Sequence, residues 1–105
     1  MPRERPAFLP MHERLLERLG ENLRLARRRR RLTTSQVAER AGISRSTLYH
    51  LEKGEANSSL GTLLQVLVAL RLENDLASIA ADDELGRTLM DIELNKPRGR
   101  REAKE

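Results

Sequence analysis

Between Thr33 and Gly54 the chain carries start and stop signals for two short helices in immediate succession, and no other stretch restricts the fold as tightly. Thr33 is followed three residues later by Gln36. At that spacing a threonine can cap a helix N-terminus while the glutamine reaches back to the cap's own N–H. Val37, Ala38 and Ala41 give this helix an apolar inner face, and Gly42 supplies its stop. Ile43 and Ser44 open the next helix: Ser44 is a second cap, Leu48 and Leu51 are the inward positions, and Gly54 ends it. Such punctuation predicts two short helices across a tight turn, which Gly42 permits, with Ile43 filling the gap between them.

The rest of the composition agrees with a small helical body. The chain has 105 residues, of which 38% are hydrophobic, 34% charged and 2% aromatic. One modest domain is expected, and a multi-domain enzyme is excluded. With so few aromatics the core must come from Leu, Val, Ile and Ala, which favours packed helices. There are no cysteines, and the two histidines, His12 and His50, are too few and too far apart for a metal cluster, so no metal and no cofactor are expected. The longest apolar run, residues 63–70, is interrupted by Gln65 and falls well short of the ~20 residues of a membrane span. The N-terminus lacks the apolar stretch of a signal peptide, so the chain reads as cytoplasmic. Paired carboxylates in an apolar setting, a nucleophile with its base and a glycine-rich phosphate loop are all missing, which leaves an enzyme the least supported class.

Along the chain, residues 1–10 hold three prolines and read as a flexible arm. A long first helix is expected over residues 11–30, carried by Leu15, Leu16, Leu19, Leu23 and Ala26, with Gly20 as a point of interruption. After the loop 55–58, a fourth helix over residues 59–71 aligns Leu60, Leu63, Leu64 and Leu67 on one stripe, and Val66, Val68 and Leu70 make other faces apolar as well. A helix that is apolar nearly all round must be covered on both sides, which points to a homodimer. The alternative is that residues 74–81 and 83–92 fold back over it. Residues 75–81 and 83–92 are themselves expected to be short fifth and sixth helices, followed by a disordered basic tail over residues 93–105. The expectation is an all-α domain of five to six helices spanning residues 11–92.

Charge is divided along the chain. Residues 24–53 contain nine Lys and Arg against two acids, a net +7, whereas residues 55–95 contain two against eight, a net −6. One part suits a polyanion and the other would be repelled by it. On the second helix of the pair, the side turned away from Leu48 and Leu51 presents Arg45, Ser46, Tyr49 and His50 at i,i+4 spacing. These types suit a major groove: Arg45 can pair bidentately with guanine, Ser46 can donate or accept, and Tyr49 and His50 can reach base edges or phosphates. Within the run 27–31, consecutive helical residues point in different directions, so Arg28 and Arg31 read as solvated or phosphate-contacting charges rather than a nuclear-localisation patch. Asn57 and Ser58, with Ser59, precede a helix N-terminus, a position that suits either a phosphate or plain capping.

The stretch LTTSQVAERAGISRSTLYHLEKG, residues 32–54, resembles the lambda-repressor/Cro-type family of helix-turn-helix DNA-binding proteins, with likeness over residues 19–72. The resemblance implies a lambda-repressor-like domain that binds double-stranded operator DNA as a two-fold dimer, with the helix after Ser44 in the major groove. Carried over, Arg45, Ser46, Tyr49 and His50 fall on base-reading positions, and Thr33 and Thr34 on phosphate- and base-contacting ones. Glu52 falls on the acid that pairs with an arginine of the first helix, here Arg27, a structural ion pair. Thr34 stands where the family often has Gln, which weakens the case for base contact there, and Arg31 stands where Gly is common. From Gly42 to the C-terminus the chain also looks like HipB-type antitoxins, which would make it an autoregulating repressor holding a HipA-like serine/threonine kinase toxin on its acidic half. Two other readings stay open: a stand-alone phage-type or metabolic-type repressor, and an interaction adaptor that does not bind DNA.

Overall fold

A computed structural model describes residues 7–95; residues 1–6 and 96–105, which hold most of the expected arm and tail, lie outside the described residues. The described chain is all helical: α1 (Pro10–Arg29), α2 (Thr34–Ala41), α3 (Arg45–Glu52), α4 (Leu60–Leu70), a 3-10 helix (Glu73–Ser78) and α5 (Glu84–Leu94).

Local chemistry sets the boundaries. Pro10 occupies the first position of α1, where its missing N–H costs nothing. Thr33 and Gln36 close a reciprocal capping box: the Thr33 hydroxyl accepts from the Gln36 N–H at 3.0 Å, and the Gln36 side-chain oxygen accepts from the Thr33 N–H at 2.8 Å. Gly42 ends α2 in the left-handed region at φ +72°, and the Ile43 N–H then returns to the Ala38 carbonyl at 3.0 Å. Ser44 caps α3 and Ser59 caps α4, each accepting a backbone N–H at 3.0 Å.

Ten aliphatic residues form the core: Leu23 and Ala26 of α1, Val37, Ala38 and Ala41 of α2, Leu48 and Leu51 of α3, and Val66, Leu67 and Leu70 of α4. Burying each of the larger ones contributes about 1.5–3 kcal/mol. Ile43 packs against this cluster from the turn, and Leu72 and Leu76 close it from below α4.

Four expectations are corrected. Gly20 does not interrupt α1, because the end of α3 packs directly on it: a Cβ there would meet the Glu52 carbonyl oxygen at 2.5 Å and the Gly54 nitrogen at 2.7 Å. Gly54, at φ +82°, approaches the α1 backbone at Glu17 as closely from the other side. On α4 the inward face is Leu63, Val66, Leu67 and Leu70, an i, i+3, i+4, i+7 set, while Leu60 and Leu64 face outward. Residues 73–78 form a 3-10 helix rather than an α-helix over 75–81, since Leu76 is the one side chain of that segment packed on the core. The last helix continues to Leu94, so residues 93 and 94 are helical rather than tail. The 3-10 segment does fold back under α4, but no residue of α5 is buried.

Candidate nucleic-acid interface

The candidate site is the outer side of α3 with the ends of α1 and α2 beside it. Leu48 and Leu51 are buried, so the helix can present only its opposite side, where Arg45, Ser46 and Tyr49 are exposed and His50 is half-buried. An ion pair fixes the pose of this helix. Arg27 of α1 donates from Nε to Glu52 Oε2 at 2.8 Å and from Nη2 to Glu52 Oε1 at 3.1 Å, while its Nη1 donates to the Leu32 carbonyl at 3.1 Å. The side chains are 13% and 8% exposed, so water screens the pair weakly. One guanidinium thereby ties α1, the α1–α2 connection and the last turn of α3 together.

Arg45 is oriented from α2: its Nη1 donates to Ser35 Oγ at a long 3.4 Å. Ser35 was not singled out by the sequence reading. The signal for it was its position two residues past the Thr33 cap of α2, in the turn that the tight connection folds against the first turn of α3. Tyr49 is 54% exposed and is bracketed by the Lys53 ammonium, 5.4 Å from its ring centre, and the His50 ring, edge-on at 5.3 Å. The His50 Nδ1 atom is shielded from solvent and lies 3.0 Å from Glu55 Oε1, but out of line for a hydrogen bond, so this approach becomes an ion pair only when the ring is protonated.

The remaining residues flank this face. Thr33 is exposed, but its hydroxyl oxygen and N–H are both engaged in the capping box, and Thr34 is half-buried. Arg28 and Arg31 are exposed; Arg31 sits at φ +57°, a left-handed conformation that costs a side-chain-bearing residue about 1–2 kcal/mol. Arg24 donates to both carboxylate oxygens of Glu21, at 3.0 and 3.1 Å, and these hydrogen bonds hold the Glu21 carboxyl below its ordinary value and raise the guanidinium of Arg24. That cation is therefore already partnered on its own helix. Asn57 is exposed and Ser58 half-buried, immediately before the α4 cap, which Ser59 alone provides. Among the described residues no group of three or more His, Cys, Asp or Glu could hold a metal ion, and no helix is long and apolar enough to cross a membrane.

A basic, polar helix face held rigidly across a glycine turn is an arrangement that can enter a DNA major groove. Comparison with known proteins agrees with that geometry. An immunity repressor protein of Bacillus phage phi105 is 36% identical over 67 residues, which cover 64% of this chain and 45% of that protein. The chain thus aligns with less than half of that relative's length. The helix-turn-helix domain family matches residues 18–78, a span running from the middle of α1 through the 3-10 helix. With the capped helix pair, its glycine turn and more than half the chain inside that match, the protein belongs to the helix-turn-helix domain family of the lambda-repressor/Cro type.

Proposed function

We propose that the protein is a sequence-specific DNA-binding transcriptional repressor, a regulator rather than an enzyme, acting as a homodimer with α3 in the major groove of its operator. The observation that carries this reading is the exposed set Arg45, Ser46 and Tyr49 on a helix whose other side is pinned by Leu48, Leu51 and the Arg27–Glu52 pair. Arg45 reads a guanine bidentately, Ser46 and Tyr49 contact neighbouring bases, and His50 reaches the backbone or a base from its free ring edge. Arg28 and Arg31, with Thr33 and Thr34 at the start of α2 and Asn57 and Ser58 before α4, contact phosphates and set register.

The immunity-repressor relative supports the stand-alone, phage-type form of this function. The antitoxin form, in which a HipA-like kinase sits on the acidic half, is favoured by the net −6 of residues 55–95, a surface ill-suited to DNA. Co-expression with the neighbouring gene product separates the two: copurification of a kinase establishes the antitoxin form, and its failure leaves the stand-alone repressor.

The test of the common reading is fluorescence anisotropy of a duplex from the region upstream of the gene, against a random duplex, over a range of salt. Tighter binding to the upstream duplex and a steep fall in affinity with salt are expected, because several arginines displace counterions. Equal affinity for both duplexes, or affinity indifferent to salt, would overturn the reading.

A further inference from the structure

Two apolar helix faces remain uncovered in a single chain, and they match. The outer side of α4 exposes Leu60, Leu64 and Val68 at i, i+4, i+8, with exposures of 69%, 40% and 53%. On α5 the stripe is Leu85, Leu89 and Ile92 at i, i+4, i+7, exposed by 70%, 55% and 54%. At 1.5 Å per residue each stripe runs about 10–12 Å, so one can lie along the other. An isolated helix of 11 residues is marginal in water, yet α5 buries nothing against its own body.

From these stripes we infer that α5 of each chain packs across the α4 of a second copy, in a reciprocal exchange that forms the dimer. This rests on the homodimer in the function proposed above and names its surface. Charge favours a second copy over another partner. α4, from Leu60 to Leu70, carries no charged residue, so it gives an ionic partner nothing to pair with and does not repel the acidic flanks of α5, which include Asp83, Glu84 and Asp91. The exchange satisfies both stripes at once and is self-complementary, as a two-fold contact requires. At roughly 60–120 Å² per buried aliphatic side chain, the stripes of two copies together bury on the order of 1,000 Å², the lower bound for a specific interface. The Leu60 end of the stripe also opens into a groove of about 550 Å³ lined by Leu15, Leu19 and Leu63, which extends the apolar surface available to the incoming helix.

The chain has no cysteine, so single cysteines report the contact cleanly. Leu64→Cys and Leu89→Cys proteins are oxidised separately and as an equimolar mixture, and linked species are read on a non-reducing gel. The exchange predicts a disulfide-linked dimer in the mixture only. Linkage of the Leu64→Cys protein to itself would overturn it in favour of α4 against α4, and an internal link in a protein carrying both Leu64→Cys and Leu89→Cys would overturn it by showing that α5 closes on its own chain. In parallel, Leu89→Glu is expected to shift sedimentation from dimer to monomer at micromolar concentration while the body stays folded, since no α5 side chain belongs to the core. A dimer that survives Leu89→Glu would overturn the inference. Operator binding is scored independently: a cross-linked mixture with no DNA affinity would end the repressor reading and leave this interface standing.

Discussion

Replacing Gly20 with alanine sets two effects of known size against each other. In an exposed helix interior the change favours folding by about 0.8–1.0 kcal/mol through helix propensity. At this position the new methyl would lie 2.5 Å from the Glu52 carbonyl oxygen, 2.7 Å from the Gly54 nitrogen and 2.8 Å from the Glu52 carbonyl carbon. All three are backbone atoms, so no flexible side chain can swing away, and α1 and α3 must separate by several tenths of an ångström. Overpacking of this kind costs about 1–3 kcal/mol, so the net expectation is a loss of up to about 2 kcal/mol. Gly61→Ala is the internal control: its methyl would find only Ser59 Oγ, at 3.8 Å, and the variant should gain about 0.4–1 kcal/mol. Thermal unfolding by circular dichroism reads both, because 1 kcal/mol moves Tm by roughly 4–8 °C in a domain of this size. Opposite signs are predicted. A Gly20→Ala protein stabilised as much as Gly61→Ala would refute the close approach of α3 to α1.

Further outcomes follow from the same geometry. Glu52→Leu alone strands the Arg27 guanidinium and should cost about 3 kcal/mol in urea unfolding, whereas Arg27→Met with Glu52→Leu should recover most of it; equal losses in both would contradict a weakly screened pair. Arg31→Gly relieves the left-handed strain and should raise stability by about 1 kcal/mol while weakening binding to all DNA sequences alike, and a stability loss would argue against the φ +57° conformation. Arg45→Ala should lose about 1–3 kcal/mol of discrimination between operator and random duplexes. Ser35→Ala should lose a smaller part of the same discrimination and leave non-specific affinity unchanged, because the serine only steers the guanidinium.

How much of this was legible in the sequence depended on how local each cause is. The capping box of Thr33 and Gln36, the αL stop at Gly42 and the Ser44 cap act within four residues, and the three boundaries they fix, both ends of α2 and the start of α3, are those observed. The reason for Gly20 inside α1 lies in the backbone of residues 52–54, which no periodicity reveals. On α4 nearly every position is apolar, so composition could not choose the inward stripe; contact with α1 and α2 chose Leu63, Val66, Leu67 and Leu70. The segment 73–78 has one packed apolar side chain, too little to hold a full α-helical turn against the body. At the candidate site, the exposed side of α3 could be read from the positions of Leu48 and Leu51. The Ser35 contact and the shielded Nδ1 of His50 could not, since both depend on where the turn places a neighbouring element.

Mapping amide chemical-shift changes while titrating the protein with its upstream duplex tests the central claim most directly. The largest changes should fall on residues 44–50 and on 33–35 at the start of α2, with α5 unaffected. Changes confined to α4 and α5, with α3 silent, would contradict the claim that the outer face of α3 meets the bases.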